Sequence, residues 1–415
     1  MKLNSNDWFY LESYVICEVM AENLVVINTN DEKYYIFQLE GLLNEFILEL
    51  LKNSYCIKLK ERYSSEENVL EFIQKSRKNY FGDIIDGTTV KVKPFIPFPI
   101  ANYQKDENKV IGLNPIHGED LIPKLRELTI YVNSECDRNC KLCNSYYKQT
   151  LFCTKVFDKE LQYSQIMNLC SQFSENTVIA QINVSGANIL RYEKLSELCE
   201  LLKLKCSYLN LQLYYQNIEI TNIDEIESLK KADNVDILIN FPFRENDIQK
   251  LRLALDKYDI AYSFKIAIES EKQFFTIDKY LSDYPIDDYE IIPIFNGTNI
   301  SFFEKHVFIT ENDLKTLKVS QNRYFLNKTF NINNYGKISL ASDGTFYANI
   351  NLKSLGHLNR NSIHEILYSE VYHGESWNLT RSSLPCKECV YQFICPPISN
   401  YEHVLGRNNL CHISG

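Results

Sequence analysis

The stretch RELTIYVNSECDRNCKLCNSYYKQT runs from Arg126 to Thr150 and holds the reading of the fold. Its first part, ELTIYVNS, reads as a β-strand, and directly after it come Cys136, Cys140 and Cys143, separated by three and then two residues. A disulfide uses two cysteines and a closed zinc site uses four ligands. Three thiols at this spacing point instead to a metal site with one coordination position open. Downstream, further strand candidates alternate with helical stretches: VIAQINVS, YLNLQLYY, VDILINFP, AYSFKIAIES and YEIIPIF, with SQIMNLCSQF, KLSELCELLKLK and DIQKLRLALDKYD between them. Six strand–helix steps predict an α/β fold with a parallel sheet and right-handed crossovers, an open or partial (β/α)6 barrel. In such folds chemistry sits at the C-terminal ends of the strands. Cys136 falls there.

The whole chain has 415 residues, 24% charged and 45% hydrophobic, which is ordinary for folded domains with real cores. A formal net charge of −10 argues against a general nucleic-acid binder. No basic-then-apolar signal pattern opens the sequence and no apolar run is long enough to span a bilayer, so a cytoplasmic protein without a membrane segment is expected. In that compartment 13 cysteines are not a disulfide framework. Cys17, Cys56, Cys153, Cys170, Cys199 and Cys206 stand alone among apolar neighbours and are read as core packing. Seven remain as candidate metal ligands: the triad, then Cys386, Cys389, Cys395 and Cys411.

Before the barrel, WFYLES, YVICEVM, NLVVINTN and KYYIFQL read as short strands, with NTNDEK as a turn. LEGLLNEFILELLKN and SSEENVLEFIQKSRKNY follow with helical spacing, the second expected to start at Ser65. After the barrel, KISLASDGTFYANINLKS reads as a hairpin turning at Asp343-Gly344, and LNRNSIHEILYSEVY as a helix. The expected organisation is a small α+β unit over 1–90, a proline-rich linker over 91–124, the barrel over 125–325 and a cysteine-rich domain over 326–415.

Three thiolates on one loop suit three irons of a four-iron, four-sulfur cluster, with zinc completed by another side chain as the alternative. Here the chain resembles the radical S-adenosylmethionine superfamily, on the triad after a first barrel strand and the five strand–helix steps that follow. One departure is Leu142, where the family commonly has an aromatic residue. The tail CKECVYQFICPPISNYEHVLGRNNLC is similar to the SPASM extension of radical enzymes that modify peptides. That resemblance implies an auxiliary four-iron cluster on Cys386, Cys389, Cys395 and Cys411, with zinc on the same thiolates as the alternative. It also implies that a second, inner cluster is lost, because Asn349 and Ser399 stand where the family has cysteines.

The same resemblance locates the S-adenosylmethionine pocket. The family's Gly-Gly-Glu motif at the end of the second strand reads Ser185-Gly186-Ala187 here, so the carboxylate that takes the cofactor's ammonium is absent. Losing such a charge-assisted hydrogen bond costs about 1.5–3 kcal/mol. Ser185, Gly186 and Asn240 are the candidate cofactor contacts, with Glu269 as a further polar strand end.

Residues 8–86 look like the winged-helix recognition element of ribosomal peptide maturation systems, which binds a leader peptide as an added strand. The three-part order most resembles pseudo-radical, SPASM-bearing companion proteins of Bacteroidetes-type systems. Two functions are expected from it. One is radical modification of a leader-bearing precursor peptide, in which a 5′-deoxyadenosyl radical abstracts hydrogen. The other is a non-catalytic partner that presents peptide, or relays electrons from a donor, to a second radical enzyme. A zinc-stabilised interaction protein is the third reading.

Overall fold

The computed structural model describes residues 4–96, 121–136, 143–150, 152, 159–219, 227–286 and 288–413. Most of the expected linker lies outside them. The N-terminal unit begins with β1 (Trp8–Leu11), followed by the antiparallel meander β2 (Val15–Met20), β3 (Asn23–Asn28) and β4 (Lys33–Gln38). Helices Gly41–Lys52 and Glu67–Lys78 bury Leu43, Phe46, Ile47 and Leu50, and Val69, Phe72 and Ile73. Two short strands that the sequence reading did not foresee, β5 (Cys56–Lys58) and β6 (Gly82–Ile85), flank β1 and take it into a separate three-stranded sheet. The second helix starts one residue later than expected. Glu66, in extended backbone, is its N-cap, whereas Ser65 closes the preceding turn and its Oγ donates to Glu61 O at 3.3 Å.

The central sheet contains the strands expected from the sequence: β7 (Glu127–Tyr131), β8 (Gln181–Ser185), β9 (Leu209–Tyr214), β10 (Asn234–Asn240), β11 (Tyr262–Ile268) and β12 (Tyr289–Pro293). They lie side by side in chain order, each parallel to the next. Leu128, Ile130, Ile182, Val184, Leu211, Ile237 and Ile266 face the helices, packing with Ile166, Leu198, Leu202 and Leu251 in one buried core. Each such side chain removed from water stabilises the fold by about 1.5–3 kcal/mol. Alternate residues point to the other face, as strand geometry requires.

The sheet does not stop at β12. β13 (Lys337–Leu340) pairs with β7 in parallel, and β14 (Thr345–Tyr347) and β15 (Gly356–His357) continue it antiparallel. The β13–β14 turn is the expected one: Gly344 takes φ +91°, and Thr345 N donates to Asp343 Oδ1 at 2.9 Å. Helix Ile363–His373 follows, with Ser362 and Glu365 forming a capping box. A separate apolar cluster joins Ile16, Val25 and Ile27 of the N-terminal meander to Leu314, Tyr324, Tyr391 and Ile394, with Cys389 and Cys395 packed against it. No helix among the described residues is long and apolar enough to cross a membrane.

Candidate functional site

At the C-terminal end of β7 the chain is fastened on both sides before it reaches the cysteines. Ser134 Oγ donates to Lys159 O at 3.0 Å and accepts from Lys159 N at 2.8 Å. Cys136 follows, and Cys143 is the first residue of helix Cys143–Thr150; both are partly exposed. Cys140 and Cys153 lie outside the described residues. The structure thus describes two of the three expected cluster ligands, Cys136 shortly after β7 and Cys143 at the start of helix Cys143–Thr150.

The turn after β8 is closed by its neighbours. Asn133 O accepts from Ala187 N at 3.0 Å, Asn133 Oδ1 accepts from Asn188 N at 3.2 Å, and Asn133 Nδ2 donates to Asn188 O at 2.6 Å. On the other side Asn217 Nδ2 donates to Ala187 O at 3.1 Å. Gly186 is needed for this approach, because a Cβ there would stand 2.6 Å from Asn133 Oδ1. Ala187 is 1% exposed and both its backbone polar groups are engaged. Ser185 Oγ is buried and has no hydrogen-bond partner among the described residues.

The neighbouring strand ends are filled as well. Tyr131, Tyr214, Leu238 and Ala267 are all buried on the face that carries Ser185. Asn240 Oδ1 accepts from Tyr214 Oη at 2.5 Å. Glu269 is taken up by the segment that follows β12, where its Oε2 accepts from Asn296 Nδ2 at 2.7 Å. Of the residues expected to hold S-adenosylmethionine, Asn240 and Glu269 are thus engaged by Tyr214 and Asn296, and Ser185 Oγ is left without a partner among the described residues. With no acidic side chain at the turn and its backbone groups occupied, they do not fit that cofactor.

The four tail thiols do come together. Cys386, Cys389, Cys395 and Cys411 line one small cavity, although no three His, Cys, Asp or Glu side chains among the described residues stand close enough to hold an ion as placed. The donor set, four thiols, suits zinc or a four-iron cluster. Burial pushes the Cys395 thiol up to about 12, opposed by the Arg381 guanidinium, and burial likewise raises Cys389. A metal taken here would displace protons, so its affinity rises with pH.

Arg381 and Glu402 were not singled out from the sequence, yet they frame this site. They pair at 2.9 Å with both side chains 5% exposed, and Arg381 Nε donates to Pro396 O at 2.6 Å. Arg381 Nη1 also lies 3.8 Å from Cys386 Sγ. The spacing Ser399…Glu402 carried the available signal. It is a capping box that starts helix Asn400–Leu405, with Ser399 N donating to Glu402 Oε2 at 2.8 Å. Ser399 thus serves the backbone, and Asn349 donates to Asn400 Oδ1 at 2.8 Å. An amide network occupies the positions where the family resemblance leads one to look for inner-cluster ligands. Of the solitary cysteines, Cys56, Cys170 and Cys199 are buried and Cys17 and Cys206 partly so; burial pushes Cys170 and Cys206 up to about 11 and Cys199 up to about 12.

No protein-family model and no curated protein matches the chain. Among solved structures it is similar to Streptococcus suis SuiB bound to precursor peptide SuiA, at 12% identity over 97% of each chain with a TM-score of 0.48. It is also similar to Streptococcus suis SuiB, at 12% identity over 96% of this chain and 97% of that one, with a TM-score of 0.43.

Proposed function

We propose that this chain is a metal-containing, non-catalytic partner in the maturation of a ribosomally made peptide, built on a partial radical-enzyme barrel that no longer turns over S-adenosylmethionine. The observation that carries this reading is the closed turn at Ser185-Gly186-Ala187, where Asn133 and Asn217 consume the backbone groups of a buried alanine. Cys136, Cys140 and Cys143 remain as ligands for an iron–sulfur cluster whose open iron lacks a cofactor pocket beside it. Cys386, Cys389, Cys395 and Cys411 hold a structural metal, iron–sulfur or zinc. The N-terminal unit receives the leader peptide. In support, β4 is an outer strand of its meander, and its Phe37 packs on Phe72 of helix Glu67–Lys78 with ring centroids 4.9 Å apart. The radical chemistry then belongs to a second enzyme.

The test is anaerobic reconstitution with iron and sulfide, followed by metal counts, equilibrium dialysis against S-adenosylmethionine, and assay for 5′-deoxyadenosine with dithionite. Metal retained on the tail thiols, without cofactor binding or cleavage, is the expected result. Formation of 5′-deoxyadenosine would overturn it in favour of the enzyme reading.

A further inference from the structure

Helix Glu271–Asp283, which joins β11 to β12, packs Ile277 and Tyr280 into the core beneath it. At about 3.6 residues per turn, the direction opposite to these two is that of Phe275. Its ring is 64% exposed, and the Phe274 ring, 5.8 Å away, is 39% exposed. A groove of about 690 Å³ runs beside Phe275, with Thr276 and Tyr280 in its wall. An aromatic side chain on the crest of a helix, bordering an open groove, serves contact with another surface better than it serves the fold.

The charges around Phe275 are sorted by flank. A rotation of about 100° per residue places Glu271 and Asp278 on one side of it and Lys272 and Lys279 on the other. Lys272, Asp278 and Lys279 are exposed and form no ion pair among the described residues. Glu271 meets Lys305 and His306 of helix Ile300–His306, the latter at 2.7 Å, both through Oε1. Asp283 stands on the basic side at the last residue of the helix, one turn beyond Lys279.

A surface that fits this face is apolar at its centre, basic opposite the acidic flank and acidic opposite the basic one. The helix itself meets that description. In a two-fold pair of parallel helices, Phe275 faces Phe275 of the second copy and each flank lies against the opposite one. Glu271 then stands beside Lys272 of the copy, and Asp278 beside Lys279. Asp283 lies beyond the last of these pairs. An antiparallel pair would set acid on acid and base on base, which is unfavourable. Exposed ion pairs add little affinity, but they select the partner and its orientation, while the apolar rings supply the attraction.

We propose that the outward face of helix Glu271–Asp283 is the contact of a two-fold dimer of this chain, with the two helices parallel and the Phe275 rings at its centre. The proposal depends neither on the tail metal nor on the role of the N-terminal sheet. One helix face is a small contact, so the dimer is weak and concentration-dependent. It is tested on the full chain under reducing conditions, by sedimentation velocity from about 1 to 200 µM. The chain is expected to pass from monomer to dimer across that range. Phe275→Glu should raise the dissociation constant at least about tenfold with an unchanged melting temperature, because the ring is exposed. Phe275→Ser replaces it if the glutamate variant does not fold. Orientation is read by charge exchange. Lys279→Glu sets acid against Asp278 of the copy and should weaken the dimer roughly threefold or more, and adding Asp278→Lys should restore it. A monomer at every concentration, undiminished association of the Phe275 variant, or a double variant that associates no better than Lys279→Glu would each overturn the proposal.

Discussion

At the scale of single residues, the decisive position is Ala187. The resemblance to radical enzymes leads one to expect a carboxylate here, and the surrounding atoms show why placing one would not make a site. Ala187 is 1% exposed, and Asn133 and Asn217 hold its backbone from both sides. Ala187→Glu would put a charge into a packed turn with no partner, a change of the kind that destabilises by about 3 kcal/mol or more. The expected result is a lower urea midpoint with unchanged slope and no gain of S-adenosylmethionine in equilibrium dialysis. Recovery of cofactor binding by this variant would show that the turn opens readily. The departure at this residue was legible in the sequence. Its cause was not, because Asn133 and Asn217 meet it only through tertiary contact.

At the scale of elements, helix Asn400–Leu405 links the tail site to the segment that follows β14 and carries a titratable side chain. His403 is pushed below its ordinary value by burial, with the Glu402 carboxylate opposing, and its Nε2 is buried without a hydrogen-bond partner among the described residues. The unfolded chain takes up the proton near pH 6.5, and the folded chain only at lower pH. The unfolded state therefore binds more protons in that window, and stability falls as pH drops below about 6.5, at up to roughly 1.4 kcal/mol per pH unit. Urea titrations between about pH 7 and 5 should show this decline, and His403→Gln should flatten it. An unchanged slope in the variant would assign the decline to other groups. Elements with strong local signals were read correctly from sequence, the six parallel strands and the Asp343-Gly344 turn among them. β5 and β6 escaped because three and four residues carry too little periodicity, and they exist by pairing with β1. The polar face of the sheet had a legible signal that went unused. Glu127 and Thr129, Gln181 and Asn183, Asn210 and Gln212 recur at every second position between the apolar residues.

At the scale of the whole molecule, the ends of the chain meet. The parallel pairing of β13 with β7 joins segments some two hundred residues apart, carrying the central sheet across the boundary expected near residue 325. The N-terminal meander in turn packs on the tail, where Ile16, Val25 and Ile27 share a cluster with Tyr391 and Ile394, and Cys389 and Cys395 pack against it. Polar contacts reinforce the junction: Lys328 Nζ donates to Glu18 Oε1 at 2.8 Å, and Val319 N to Glu32 O at 2.8 Å. Such long-range placement has no local signature, which is why strands and helices were legible in the sequence but not their arrangement. It also has a consequence for the metal proposed on the tail thiols. Two of the four thiols, Cys389 and Cys395, border the same apolar layer as β2 and β3, so if they hold that metal its loss should loosen both sides of the layer. Chelation of the metal, or Cys395→Ser, is expected to raise amide hydrogen exchange at residues 15–28 together with residues 386–411. Residues 127–131 and 235–239 of the central sheet should stay protected. Faster exchange confined to the tail would mean that the N-terminal sheet is held by its own core, built on Phe9, Phe46 and Phe72, and that the N-terminal unit and the tail site are independent.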